Sequence, residues 1–478
     1  MTNPIELNAH ELSALIHQRK VSCREVMQAC LERIAEVNPA HNAIVSLQDA
    51  EELYRQADER DTQLARGESL GWMHGIPQAI KDLSATRGIH TTMGSPLLRD
   101  NVPTHDCIMV ERMKGAGALI IGKTNTPEFG LGSHTFNNVF GITGNAWEVS
   151  RCAGGSSGGT AVALALRMLP VADGSDMMGS LRNPAAYNNI FGLRPSQGRV
   201  PYGPARDQYV AQLGTEGPMG RSVRDVALLL STQAGWDPRV PLSIAQDGSV
   251  FAEPLDTEVA GLRIGWLGDL QGYLPIEPGI LEVCGKGLMR LESLGCVVEP
   301  AALGYPPEQV WQTWLSWRHW LVAGNLAAFY ANPSDREQLK PEAQWEVEQG
   351  LRLSGGDTHA ASEGRTGFYQ HLLTLFGRYD FLALPTAQVW PFDAHLHWPK
   401  VINGQKMDTY HRWMEVTIYA TLGGLPAISV PVGFNEAGLP MGMQLIGRPQ
   451  DDRSVLRIAA AYEQTISDLL ARRPPVLE

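Results

Sequence analysis

The sequence predicts an α/β protein built on a mixed sheet, and three observations carry that reading. An apolar run at 262–267, a helical stretch starting near Pro278 and capped by Gly295, and a second apolar run at 296–298 form a β-α-β unit, the connection that joins parallel strands. Runs at 427–432 and 441–446 flank a turn at 435–440, the pattern of an antiparallel pair. From about residue 70 onward, short apolar runs divided by glycine and proline alternate with helical segments, without the internal repeat of a solenoid.

The elements follow in order. Helices occupy about 8–66: Ser22 and Glu25 form a capping box, and Met27, Cys30, Leu31 and Ile34 fall at i, i+3, i+4 and i+7. They make one apolar face of a helix expected to stop before Asn38 and Pro39. Residues 76–80 make a short strand that delivers Lys81 and Asp82, and a helix near 105–115 precedes a buried strand at 118–121. The Ala/Leu-rich run 160–168 is a buried helix behind the hexapeptide Gly154-Gly155-Ser156-Ser157-Gly158-Gly159. The apolar run 169–172 then places 173–180 in a loop near a strand end.

Composition narrows the function classes. The chain has 478 residues, 44% hydrophobic and 19% charged, enough for a large soluble core. Thirty-nine basic against 51 acidic residues give a net charge of −12 without a basic block, which argues against a nucleic-acid partner. The N-terminus lacks a basic segment followed by an apolar core, and no run approaches about 18 apolar residues. A cytoplasmic protein with no membrane partner is expected. Six cysteines without a C-x-x-C pair read as reduced thiols. His395 and His397 follow Asp393, but nothing nearby completes a metal site, and a polar loop is expected there.

Three motifs compete to carry chemistry. Residues 117–124 fit G-x-x-x-x-G-K-[ST], a phosphate loop, yet a helical segment precedes them and the four intervening positions are apolar, so a strand interior is the better reading. Residues 154–158 fit G-x-S-x-G, which would make Ser156 the nucleophile of an elbow, but 145–153 is a poor strand and no histidine presents itself as base. The third constellation is Lys81 at a strand end with Ser156 and Ser180. A desolvated lysine amine can act as a base near neutral pH, and consecutive amides in the loop ending at Ser180 can stabilise an oxyanion.

Lys81-Asp82, the GGSSGG run at 154–159 and Gly174-Ser175-Asp176 through Gly179-Ser180-Leu181-Arg182 resemble the amidase signature family. The resemblance extends through Gly122-Lys123-Thr124-Asn125 with Glu128-Phe129, through Gly192-Leu193-Arg194-Pro195, and to Gly424-Leu425-Pro426-Ala427 and Gln444-Leu445-Ile446-Gly447. It is weakest over about 300–400. The resemblance implies one α/β/α domain over 1–478 on a large mixed, mostly parallel twisted sheet, with a variable helical insertion at about 300–380. It also implies a serine amidase that needs no cofactor or metal and cleaves a small or medium carboxylic amide. Ser180 would be the acylating nucleophile, Ser156 the bridging serine after a cis peptide, and Lys81 the base. The amides of Met177, Met178, Gly179 and Ser180 would form the oxyanion hole. A family relative, the glutaminase subunit of a tRNA-dependent amidotransferase, is the alternative. A nucleotide-binding ATPase on 117–124 is the alternative from another class.

Members of the family commonly carry Thr-Gly-Gly where this chain has Met177-Met178-Gly179. A glycine-only conformation at 178 would leave the loop strained or reshaped, and two methionines would crowd the acyl pocket. Asp176 and Arg182 read either as an internal ion pair or as a substrate-binding pair, and Ser157 and Ser133 as supporting hydroxyls or helix caps. Trp311, Trp314, Trp317 and Trp320 step by three along a helix. Core packing or a subunit interface, as in a homodimer, is the leading reading of that surface, and a wall of the substrate pocket formed by the first three is the other.

Overall fold

The computed structural model describes residues 3–210, 212–256 and 258–478. Three helices open the chain: α1 (Ala9–His17), α2 (Cys23–His41) and α3 (Ala50–Ala65). The capping box forms as expected at the start of α2. The helix does not stop at Asn38, however. Pro39 lies in its last turn, where the ring removes a terminal bond rather than interrupting a long ladder. Asn42, left-handed at φ 51°, closes the helix by donating its N–H to the Asn38 carbonyl at 2.7 Å.

Strands β1 (Ile44–Val45), β2 (Pro77–Lys81) and β3 (Leu119–Thr124) pair in the order β1-β3-β2, with α4 (Ile108–Gly115) preceding β3. Downstream come α5 (Gly158–Ala165), β4 (Val171–Asp176), α6 (Arg182–Tyr187), β5 (Phe191–Arg194), β6 (Thr215–Gly220), α7 (Val223–Gln233) and β7 (Arg263–Trp266). They are followed by α8 (Ile280–Ser293), β8 (Val297–Pro300), α9 (Pro307–Ala331), α10 (Pro341–Gly350), α11 (Gly355–Phe376), β9 (Phe381–Pro385), β10 (Ala427–Phe434), β11 (Pro440–Ile446) and α12 (Asp452–Glu463).

Strands β4 to β11 form one eight-stranded sheet in the order β8-β7-β9-β11-β10-β5-β6-β4. It is mixed, as expected, and both predicted units are present: β7-α8-β8 pairs in parallel and β10/β11 antiparallel. The expectation of a mostly parallel sheet needs correction. Only β7/β8 and β7/β9 are parallel, while the remaining neighbours pair antiparallel. Parallel neighbours need crossovers, and the centre of this sheet is built on the β10/β11 hairpin instead.

The two sheets meet where β2 packs beside β4. Side chains bridge that seam: Gln78 Nε2 donates to the Val171 carbonyl at 2.8 Å, and the Lys81 N–H donates to Asp173 Oδ2 at 3.2 Å. One apolar core gathers the N-terminal helices around β2–β4, and a second surrounds β7–β11 with α8, α9, α11 and α12. Met178 packs into the second core and Leu181 into the first. The loop that carries Ser180 therefore spans the boundary between two cores, each of which anchors one of its ends.

Helix α9 gives the tryptophans the core-packing role and not the pocket wall. Trp311, Trp314 and Trp317 are buried in the second core, because α10 and α11 both pack on α9 and leave it no wide solvent face. Trp320 is half-buried, its ring centroid 5.2 Å from that of Trp317. Among the described residues, no helix is long and apolar enough to cross a membrane.

Candidate active site

Lys81 ends β2 with its side chain fully buried, and its amine meets three hydroxyls. Nζ lies 2.8 Å from Ser156 Oγ, 2.8 Å from Ser157 Oγ and 3.0 Å from Ser175 Oγ, with the Ser175 carbonyl at 3.3 Å. Burial pulls the amine down to about 7, against the opposing pull of Asp173, Asp176 and Glu216. A neutral amine in this setting can accept a proton from one hydroxyl and donate to the others.

The glycine-rich turn presents Ser156 and Ser157 at the start of α5. The Gly155–Ser156 peptide is cis, as the family resemblance implies. A side chain at Gly159 would collide with the backbone of Asn125 and Ala43, so the run is glycine-rich because other segments pass through the space side chains would need. Ser133 Oγ lies 2.5 Å from the Gly155 carbonyl and 2.8 Å from Asn183 Oδ1, which places it as a brace of the turn. Ser157 makes no side-chain cap on α5; its hydroxyl faces Lys81 instead.

Ser180 is 6% exposed, against 2% for Ser156 and 0% for Lys81, so accessibility rises along the series from amine to outer serine. The Ser180 carbonyl accepts the Ser157 N–H at 3.2 Å, tying the two loops together through the backbone. Among the described residues the Ser180 hydroxyl has no hydrogen-bond partner. The structure thus joins Lys81 to Ser156 directly and places Ser180 beside them with its hydroxyl free.

The loop before Ser180 is shaped by Asp176. Its carboxylate accepts the Gly179 N–H at 2.9 Å and the Leu181 N–H at 3.2 Å, and takes a two-pronged contact from Arg182 at 3.0 Å for each prong. Arg194 Nη1 adds a third approach at 3.3 Å. Burial pushes the Asp176 carboxyl up, but Arg182 and Arg194 outweigh it and hold the group well below the usual carboxylate range. All three side chains are fully buried, so Asp176 and Arg182 act as an internal ion pair.

The Gly179 N–H is therefore committed to Asp176, which removes it from the expected oxyanion set and leaves the amides of Met177, Met178 and Ser180 without acceptors among the described residues. The left-handed residue of the loop is Gly179, at φ 82°, and a side chain there would meet Thr417 Cγ2 at 2.6 Å. Neither Met177 nor Met178 has a positive φ, so the glycine-only conformation expected at 178 does not arise there. Met178 is buried in the core, and Met177 Sδ lies 3.6 Å from Arg318 Nη1. Arg318, held by Glu346 at 2.5 Å and by the Tyr410 hydroxyl at 2.6 Å, is the residue through which α9 reaches this loop.

A narrow cleft runs up to Ser133, lined by Phe136, Lys340, Trp398, Tyr410 and Trp413. Its aromatic walls come from these residues and not from Trp311, Trp314 or Trp317. Residues 117–124 take the strand-interior reading: all but the first two positions of the motif lie in β3, and Lys123 Nζ is buried, donating to the Ser84 carbonyl at 2.6 Å and Thr86 Oγ1 at 2.9 Å. No pliable loop exists to wrap a phosphate.

Sequence reasoning missed Ser175, Asp173 and Glu216. Asp173 and Ser175 alternate along β4 on the side of Lys81, a signal visible in principle from strand periodicity. Glu216 lies directly opposite Ser175 in β6, which only the pairing register reveals.

A buried lysine touching a serine in a tight glycine turn, at the seam of a mixed α/β sheet, defines a class of enzymes that hydrolyse non-peptide C–N bonds, and the comparisons agree. The Amidase family matches residues 25–456. An acylamidase of Rhodococcus erythropolis is 35% identical over 461 residues, covering 96% of this chain and 95% of that one. A glutamyl-tRNA(Gln) amidotransferase component of Moorella thermoacetica is 34% identical over 499 residues, covering 98% of each. The crystal structure of a bacterial aryl acylamidase of the amidase signature family superposes with a TM-score of 0.90 at 30% identity, covering 98% of this chain and 99% of that one. The chain belongs to the amidase signature family.

Proposed function

We propose that the chain is a single-domain, cytoplasmic serine amidase that cleaves a small or medium carboxylic amide through an acyl-enzyme. The contact between the buried Lys81 amine and Ser156 Oγ carries this reading. Neutral Lys81 takes the Ser156 proton while Ser156 takes that of Ser180, and Ser180 Oγ adds to the substrate carbonyl carbon. The negative oxygen of the tetrahedral intermediate is received by the free amides of Met177, Met178 and Ser180. The proton returns through Ser156 to the departing nitrogen, the C–N bond breaks, and water cleaves the ester on Ser180 by the same relay. Substrate binding has to bring Ser180 Oγ within reach of Ser156 Oγ, a tightening common when a substrate-free centre is filled.

The acylamidase and aryl acylamidase relatives favour an acyl or amine group with an aromatic or bulky apolar body. The full-length likeness to the amidotransferase component favours a second reading, a glutaminase that works with partner proteins. A hydrolysis panel of aryl, alkyl and amino-acid amides with glutamine included separates the two: turnover of anilides by the isolated chain supports the amidase, and turnover of glutamine alone supports the amidotransferase component.

A further inference from the structure

Behind Lys81 the fold buries more acid than its hydrogen bonds account for. In the β4/β6 pair, Ser175 lies opposite Glu216 and Asp173 opposite Pro218. Directly opposed residues and residues two apart on a strand share one face, so Asp173, Ser175 and Glu216 line the face on which Ser175 Oγ meets the Lys81 amine. Asp173 spends one oxygen on the Lys81 N–H, and Glu216 spends one on Ser84 Oγ at 2.6 Å. The other oxygen of each, Asp173 Oδ1 and Glu216 Oε2, is buried without a partner among the described residues. A buried carboxylate left half-paired is costly, and these two sit among two buried amines, Lys81 and Lys123.

We infer that Asp173 and Glu216 are positioning residues that act through charge: together they set the pH at which Lys81 gives up its proton. The inference rests on the reading of Lys81 as the base. Each ionised carboxylate favours the ammonium form of Lys81, and a proton resting on either acid relieves that hold. The other charged groups packed around the amine have commitments of their own. Asp176 faces Arg182 and Arg194 on the opposite side of β4. Asp82, next to Lys81, accepts from the Thr92 N–H and hydroxyl. On β3, Lys123 is bonded to Ser84 and Thr86. Cys107 Sγ lies 3.8 Å from Glu216 Oε1 and stays a neutral thiol, since burial raises it well above its ordinary value. Burial likewise pushes Asp173 up to about 6 and Glu216 up to about 7, and pulls Lys81 down to about 7 and Lys123 down to about 8, so the two acids and two amines titrate as coupled groups.

The test measures the rate at which a fluorophosphonate labels the full-length protein between pH 5 and 10, for the unsubstituted chain, Asp173→Asn and Glu216→Gln. Each substitution keeps the hydrogen bond and removes the charge. Loss of a negative charge lets the neutral amine persist to lower pH, so the acid limb moves down by about one pH unit in each variant and further in the double variant. The labelling plateau at high pH stays within a few-fold. An unchanged limb, or one moved to higher pH, in whichever variant folds overturns the inference. Lys81→Ala labelled at the unsubstituted rate overturns instead the reading of Lys81 on which it rests.

Discussion

Lys81 Nζ and Ser156 Oγ sit 2.8 Å apart, with Lys81 fully buried and Ser156 nearly so. Among the described residues no carboxylate touches the amine, and three hydroxyls surround it.

Replacing Lys81 by alanine or methionine is expected to lower kcat/KM by about a hundred- to ten-thousand-fold, the usual worth of a positioned acid–base group. Steady-state kinetics on any hydrolysed amide checks this. In the unsubstituted enzyme kcat/KM should rise with pH through about 7, because the amine must be neutral to act.

The same burial makes Lys81 a liability to the fold. The unfolded chain takes up a proton on this amine between about 7 and 10.5 that the folded chain does not hold, so its contribution to stability grows as pH rises through that window. Lys81→Met therefore keeps or raises the thermal midpoint at pH 7, read by calorimetry, while it lowers turnover by that large factor. A midpoint lowered by many degrees would contradict the assigned burial.

Asp176→Asn should cost about 3–5 kcal/mol, since it leaves Arg182 and Arg194 buried with a neutral partner and weakens the loop before Ser180. Denaturant titration measures it. The stability that Asp176 lends is present above its unfolded value and is lost as pH falls toward its depressed folded one.

The two methionines separate by burial. Met178→Ala opens a cavity in the core and should destabilise by about 2–5 kcal/mol. Met177→Ala, half-buried against Arg318, should change stability by less than about 1 kcal/mol and act mainly on KM. Thermal midpoints and kinetics on both variants give the contrast.

Trp413→Ala and Trp314→Ala should each lower the thermal midpoint, since both rings are buried in the same core. Calorimetry on the two variants measures it.

How much is legible in the sequence follows from where each determinant lies. Lys81, Ser156 and Ser180 stand in local motifs, and β7-α8-β8 and the β10/β11 hairpin are written in apolar runs with turn residues between them. The β6 strand, TEGPMG, has two glycines and a proline and no strand propensity of its own. Its place comes from pairing with β4 and β5, so Glu216 is invisible without the register. The tryptophans of α9 show a similar limit: a step of three tells which residues share a helix surface, not that α10 and α11 cover it. The left-handed position falls at Gly179 rather than at 178, a matter of one residue that only backbone angles resolve.

The central claim is that Ser180 attacks and Ser156 relays. Incubating the protein with a fluorophosphonate and locating the added mass by peptide sequencing tests it most directly. The adduct is expected on Ser180, and its formation should be slowed strongly in Lys81→Ala. An adduct on Ser156, or none on a chain that hydrolyses amides, would contradict the account.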